Sequence, residues 1–223
     1  MYEIDNIKTQ LENHGIVEFR NFLSCEQLLE YQLFFNVNGN DQWKRFSFPE
    51  MIDYEKVRSD LLKKLSCHPG ILELFENVHG QLCKKISPDQ TFFPNLRIFY
   101  GNVGEKEAFN FHFDAYALTI LMPILIPDEE NGKNGDLIIF RRRRKLHSNS
   151  ILNLFQKLIL QNTFVRYLFT KRIFQKLFKA KLVKLKPGNL YLFLGYQTIH
   201  GNLPCNRENI RATACYHYSL PIV

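Results

Sequence analysis

The stretch NLRIFYGNVGEKEAFNFHFDAYALTILMPILI, Asn95–Ile126, decides how the chain is read. From Phe93 the hydrophobic period becomes two, and Asn95–Gly101 reads as a strand. A Gly/Lys/Glu turn follows, then a second strand over Ala108–Asp114. Leu118–Ile126 is a third, apolar enough to be buried on both faces. Downstream, Asp128–Gly135 holds two Asn-Gly pairs and reads as a turn. Strands are then expected over Asp136–Arg141, Lys181–Leu185, Asn189–Leu194 (beyond the Pro187-Gly188 turn) and Ile210–Ser219. Upstream, Gly15–Phe19 reads as a short strand, and Ser24-Cys-Glu-Gln27 is a capping box that starts a helix to about Phe35. Residues 54–66 and 69–79 look helical, with Pro69-Gly70 at the break. Helices followed by seven or so short strands predict a mainly β fold with supporting helices, an antiparallel sandwich or barrel. With neither repeat nor linker in sight, one domain over 1–223 is expected, with helical support over 1–90 and the β core over 91–223.

Composition agrees. A chain of 223 residues, 45% hydrophobic and 23% charged, excludes disordered, collagenous and low-complexity architectures. No apolar run reaches the roughly 20 residues that cross a bilayer, and the polar N-terminus MYEIDNIKTQLENHG does not read as a signal peptide. Five cysteines, an odd number with no CxxC pair, suggest neither a disulfide framework nor a zinc knuckle. A reducing, cytoplasmic location is the expectation.

Charge is concentrated. Residues 141–186 hold fourteen Lys and Arg and no Asp or Glu, whereas the rest of the chain holds fifteen basic and twenty-two acidic residues. The same segment is apolar at helical spacing: Ile151, Leu154, Phe155 and Leu158, then Ile173, Phe174, Leu177 and Phe178 after a break near Asn162-Thr163. Two basic amphipathic helices are expected. They suit peripheral contact with an anionic membrane, or else a helical insertion that packs its apolar face on the domain and solvates its charges.

Phe111-His112-Phe113-Asp114 puts His112 and Asp114 two apart on a strand, hence on one face. Far along the chain, Tyr191–Leu194 leads into a loop that presents His200, and Arg211 and Thr213 follow on the last strand. Two imidazoles and one carboxylate leave half of an octahedral ion's positions open, which suits a non-haem Fe(II) oxygenase. A closed zinc site would need a fourth protein ligand. A buried Arg needs an anion, and a carboxylate is its natural partner.

On these residues the chain resembles the Fe(II)/2-oxoglutarate-dependent dioxygenases, in their phytanoyl-CoA-hydroxylase-like and prolyl-hydroxylase-like branches. The likeness covers roughly residues 95–219. Asn134-Gly-Asp-Leu137 is similar to the family's NGxL strand, and His200-Gly-Asn-Leu-Pro-Cys-Asn206 to its H-x-x-x-P-x-N stretch. The resemblance implies a double-stranded β-helix, the cupin-like jelly roll, carrying Fe(II) on His112, Asp114 and His200. It implies 2-oxoglutarate as co-substrate, its far carboxylate on Arg211 with Thr213 beside it, and Tyr100 and Arg97 lining the co-substrate or substrate pocket. O2 is the third reactant, and succinate and CO2 are the products of oxidative decarboxylation. Hydroxylation is the implied outcome, because Asp114 leaves no ligand position for a halide; a small or lipid-linked substrate is expected from the basic amphipathic insertion alone.

Two departures bear on this reading. The helical insertion 141–186 is longer than the family's usual loops and is expected near the barrel mouth, shaping substrate access or membrane approach. Arg207 and Arg211 are not spaced as in the nucleic-acid demethylases of the superfamily, so a nucleic-acid partner is disfavoured. The competing function is a non-catalytic jelly-roll binding domain that docks on an anionic membrane or polymer through its basic insertion. His217, on the last strand, can face either core or pocket, and Cys205 and Cys215 read as buried thiols rather than nucleophiles.

Overall fold

Ser24 and Gln27 satisfy each other's backbone: the Gln27 N–H donates to Ser24 Oγ at 3.1 Å and the Ser24 N–H to Gln27 Oε1 at 3.0 Å. This capping box opens helix α2, Cys25–Val37. Before it, α1 (Ile4–His14) ends on Gly15, whose left-handed φ of 75° lets its N–H reach the Leu11 carbonyl. The computed structural model describes residues 3–37, 68–83, 91–99, 102–127, 133–141, 159, 162–207 and 209–220. The helix expected over 54–66, the first basic helix around 151–158 and Tyr100 lie outside the described residues. The helix expected over 69–79 is α3, Pro69–Val78, continued by a π-helical turn, His79–Cys83.

Two antiparallel sheets form the core. The larger holds β1 (Val17–Phe19), β6 (Leu190–Phe193), β3 (Leu118–Leu125), β8 (Arg211–Tyr218) and β2 (Phe92–Phe99), in that order. The smaller holds β5 (Ala180–Val183), β4 (Leu137–Phe140) and β7 (His200–Asn202). The strand expected over Ala108–Asp114 is reduced to single bridges, Ala108 to Asn202 and His112 to His200. Phe109 explains the interruption: its φ is 56° and its carbonyl is taken by the Phe111 N–H at 2.8 Å, so the ladder cannot run through it. The segment still lies along β7 as a fourth member of the small sheet. Such a two-sheet wrap is the double-stranded β-helix.

Alternation sorts the side chains into three layers. Ile120, Met122, Leu192, Ala214 and Tyr216 leave the outer face of the large sheet and pack with Ile7, Leu11, Leu74 and Phe75 of the helices. Leu121, Tyr191, Phe193 and Cys215 point the other way, to meet Leu137, Ile139 and Val183 of the small sheet. The β3 run is therefore buried on both faces, as its composition predicts. Ile138, Phe140 and Phe111 leave the outer face of the small sheet and are covered by Phe169 of α5, Thr163–Thr170. Asn162 caps that helix, accepting from the N–H of Phe164 at 2.9 Å. A short α6, Arg172–Leu177, leads into β5. The last helix to place is one turn, α4 (Val103–Lys106), in the loop between β2 and the metal-site segment.

Candidate metal centre

His112, Asp114 and His200 meet between the sheets, with one ligand atom from each lying within 4.8 Å of the others. Asp114 Oδ1 is 3.5 Å from His112 Nε2 and 3.4 Å from His200 Nε2. The imidazoles are 4.5 Å apart between ring centroids. Among the described residues this is the one group of three or more such side chains placed to share an ion. His112 and His200 reach it because their segments pair as the bridge that closes the small sheet, with backbone N–H bonds in both directions at 3.0 and 3.1 Å.

Each imidazole is oriented the same way. Nδ1 of His112 is 2.8 Å from the Asn110 carbonyl and Nδ1 of His200 is 3.0 Å from the Thr198 carbonyl. A carbonyl only accepts, so Nδ1 carries a proton in both rings and Nε2 faces Asp114, donating to the carboxylate when the ring is protonated and offering its lone pair when the ring is neutral. That tautomer is the metal-binding one, with the outer nitrogen fixed by a backbone oxygen.

Asp114 is held from behind. Its N–H donates to the Gly195 carbonyl at 3.0 Å. Its Oδ2 accepts from the Thr119 hydroxyl at 2.5 Å. Thr119 Oγ1 is in turn 3.1 Å from His217 Nδ1. The hydroxyl has one proton and spends it on the carboxylate, so Nδ1–H of His217 is the donor in that second bond. Gly195 is obligatory here: a Cβ at that position would stand 2.3 Å from Thr119 Oγ1 and 2.4 Å from Asp114 Oδ2. Burial opposes ionisation of Asp114, yet the charge of His200 and hydrogen bonds from both imidazoles outweigh it and hold the carboxyl well below its ordinary range. Burial likewise opposes protonation of His112, but Asp114 overrides it and the imidazole titrates above its ordinary range. His217 is pulled below its ordinary range by burial, against the attraction of Asp114.

Arg211 and Thr213 share the inner face of β8 with Cys215 and His217. Arg211 is fully buried, and burial followed by the neighbouring Arg97 charge lowers its guanidinium to about 10. It stays cationic at neutral pH. Among the described residues its Nε has no hydrogen-bond partner, nor has the buried Thr213 Oγ1 two residues on. The guanidinium lies 5.0 Å from the centre of the Phe99 ring. Gly135, at a φ of 71°, makes room for its stem, since a Cβ there would come 2.5 Å from Arg211 Cδ. Gly135 sits in the Asn134–Leu137 stretch, and its N–H bonds the Pro204 carbonyl at 3.0 Å, so the two motif-like stretches of the sequence touch each other beside Arg211. Asn202 belongs to this frame rather than to the ion, donating to the Gly135 carbonyl at 3.1 Å.

Arg97 stands directly across from Thr213 on β2 and so faces the same interior; its guanidinium is 3.7 Å from Glu107 at the rim. Arg207 is spent elsewhere, on an exposed ion pair with Glu105. Thr119, Gly195 and His217 complete a frame whose members the motif alone did not single out. The signal for Thr119 was available: it is the one hydroxyl in a run, Leu118–Ile126, that is otherwise apolar.

No protein-family model matches the sequence, and no curated protein matches it. Solved structures do match in fold. A prolyl-4-hydroxylase from Pseudomonas putida superposes with a TM-score of 0.52 at 12% identity, over 98% of this chain and 96% of its own. The non-haem alpha-ketoglutarate-dependent epimerase SnoN of nogalamycin biosynthesis gives 0.55 at 15%, over 96% and 80%. An oxidoreductase of the 2OG-Fe(II) oxygenase family from Burkholderia pseudomallei gives 0.50 at 9%, over 98% and 90%. At such identities the likeness establishes the fold, and the chain has the double-stranded β-helix of these structures.

Proposed function

We propose that the protein is an Fe(II)- and 2-oxoglutarate-dependent oxygenase that hydroxylates a small or lipid-linked substrate. The observation that carries this is the pairing of two unlike sites on one interior: a His-Asp-His group with each imidazole Nδ1 fixed by a backbone carbonyl, and a buried, cationic Arg211 whose Nε and neighbouring Thr213 hydroxyl lack partners among the described residues. The fold neighbours named above, a prolyl hydroxylase and an alpha-ketoglutarate-dependent epimerase among them, support the same reading.

The donor set fits the ion. Two neutral imidazole nitrogens and a carboxylate oxygen suit Fe(II) and leave open positions. It fits the co-substrate equally, because a dicarboxylate would give Arg211 the anion that its burial demands and Thr213 an acceptor for its proton. When bound, iron and 2-oxoglutarate with O2 supply the oxidising chemistry, releasing succinate and CO2.

The chain's own residues position and shield. His112 and His200 would hold the iron through Nε2 and Asp114 through Oδ1, since the Thr119 hydroxyl already bonds Oδ2. Arg211 and Thr213 would hold the far carboxylate of the dicarboxylate, and Phe99 and Phe193 line the interior with apolar surface that excludes water. Arg97 stands closer to the rim, where it can meet an anionic group of substrate or co-substrate. Asp114 as ligand favours hydroxyl transfer over halogenation, for want of a vacant position for halide.

Purified protein incubated with Fe(II), 2-oxoglutarate and O2 should form succinate even without the prime substrate. Asp114→Ala should abolish that formation. A protein that binds neither iron nor 2-oxoglutarate by anaerobic titration would refute the assignment.

A further inference from the structure

The insertion presents more apolar surface than the domain covers. In α5, Val165 and Phe169 turn inward onto the small sheet, one helical turn apart. After α6, Phe178 joins the same cluster, and Phe174 is half-buried. The opposite sides are open: Phe164 is 67% exposed, Tyr167 54%, Ile173 72% and Leu177 61%. The four residues expected to pack as one apolar face, Ile173, Phe174, Leu177 and Phe178, are thus split between the domain and the solvent, because the shortness of α6 lets the sheet reach only one side of it.

Cations frame the open side. Lys171, Arg172, Lys176 and Lys179 are exposed around Ile173 and Leu177, and Lys171 Nζ lies 4.0 Å above the Tyr167 ring. Leu182, 51% exposed on β5, extends the apolar strip, with Lys181 beside it. No acid occurs anywhere from Arg141 to Lys186.

We propose that the exposed face of α5 and α6 docks on an anionic lipid surface. Aliphatic and aromatic tips enter the boundary between headgroups and acyl chains while the lysines and arginines meet the headgroup phosphates and carboxylates. Charge selects this occupant. A second copy of the same face would set like charge against like. A nucleic acid would engage the cations but leave Ile173 and Leu177 in water. The docking face is tied to the metal site through Phe169, whose ring is 6.0 Å from that of Phe111, the neighbour of His112. Docking would hold the proposed oxygenase at the bilayer, where a lipid-linked substrate resides; this last step rests on the proposed activity, whereas the docking itself does not.

Flotation of the full-length protein with vesicles tests it. Phosphatidylcholine vesicles containing phosphatidylserine should carry the protein, and phosphatidylcholine alone should bind at least about tenfold more weakly, with the difference erased by high salt. The double variant Ile173→Ser/Leu177→Ser should weaken binding by about tenfold or more through lost apolar burial. Its melting temperature and Fe(II) affinity should stay unchanged, since both side chains stand in solvent. The triple variant Lys171→Gln/Arg172→Gln/Lys176→Gln should remove the preference for phosphatidylserine. Equal binding to both vesicle types, absence of binding, or a serine variant that floats like its parent would overturn the proposal. Single-stranded DNA that binds parent and serine variant alike, with no flotation, would reassign the face to polyanions.

Discussion

The Thr119 hydroxyl donates to Asp114 Oδ2, which leaves Oδ1 as the carboxylate oxygen that faces both imidazoles. Because His217 Nδ1–H donates to the same hydroxyl, the proton of Thr119 has one direction to go. The carboxylate is therefore aimed by a neutral chain rather than by a second charge. Removing the hydroxyl while keeping the shape, Thr119→Val, should free Asp114 to rotate or bind through both oxygens. The expected loss is about 10–100-fold in Fe(II) affinity. Thr119→Ser should restore most of it. Anaerobic metal titration reads both, and unchanged affinity in the valine variant would show that packing alone aims Asp114.

Gly195 allows a sharper test. A methyl group there would stand 2.4 Å from Asp114 Oδ2 and 2.3 Å from Thr119 Oγ1, so Gly195→Ala must displace the carboxylate. Overpacking of this kind costs about 1–3 kcal/mol, less than a typical domain's stability. A folded protein with ordinary circular dichroism and no measurable Fe(II) binding is the expected result.

The pH dependence of metal binding follows from the two shifted groups. Iron needs neutral His112, whose imidazole titrates above its ordinary range. Affinity should therefore be full above that raised pKa and fall by about tenfold per unit below it, one proton competing with one ion. Asp114, held well below the ordinary carboxylate range, stays ionised through that window and adds no second slope. Stability of the metal-free protein runs oppositely for His112. A raised pKa contributes stability that is present below the unfolded value of about 6.5 and is lost as pH rises through the folded one. For Asp114 the contribution is present above its unfolded value and vanishes as pH falls through the depressed one. From these two groups metal-free protein should lose stability on both sides of a mildly acidic optimum, with the lowered His217 working against the His112 limb, while iron moves that optimum upward. Thermal melts from acid to neutral pH, with and without metal, check the sign.

β3 and β6 were legible as short apolar runs, because burial on both faces leaves little room for polar side chains, and β8 as an alternation of Ala and Tyr with polar residues. His112, Asp114 and His200 stood out in the sequence by residue type and spacing, and the fold does bring the three together, with Arg211 buried on the last strand. The 108–114 segment read as a strand and is only bridged, because no rule of alternation announces that Phe109 will take a left-handed φ of 56°. Thr119 and His217 meet across β3 and β8, and that contact exists only through the register that sets Thr119 opposite His217. The splitting of the α6 face was illegible for a related reason: helical periodicity shows which residues share a side, but not how far the sheet beneath extends.

Arg211 should reveal its partner through stability. The Nε of this buried cation has no partner among the described residues, and a bound dicarboxylate would supply its anion. Saturating 2-oxoglutarate should raise the melting temperature of the iron-loaded protein, since a ligand at 100 times its Kd adds about 2.7 kcal/mol. Arg211→Gln should erase that shift and raise the KM for 2-oxoglutarate while leaving iron affinity near normal. Thr213→Ala should do so partially, losing a single neutral hydrogen bond of about 1 kcal/mol. A shift undiminished in Arg211→Gln would place the far carboxylate elsewhere, with Arg97 the next cation on that face.

Phe169 couples the insertion to the metal strand and can be tested apart from catalysis. Its ring stands 5.1 Å from Phe140 and 6.0 Å from Phe111, and 5.1 Å from Phe178, and it is 6% exposed. Truncation by Phe169→Ala should cost about 3–5 kcal/mol, the usual range for a buried aromatic. Because Phe111 precedes His112, the loss should not stop at stability: Fe(II) affinity should fall as well, whereas Phe164→Ala, on the exposed side of the same helix at 67%, should leave both unchanged. Chemical denaturation together with metal titration separates the two effects. An alanine at 169 that lowers stability while leaving iron binding intact would mean that the insertion merely covers the sheet, without bracing the segment that bears His112.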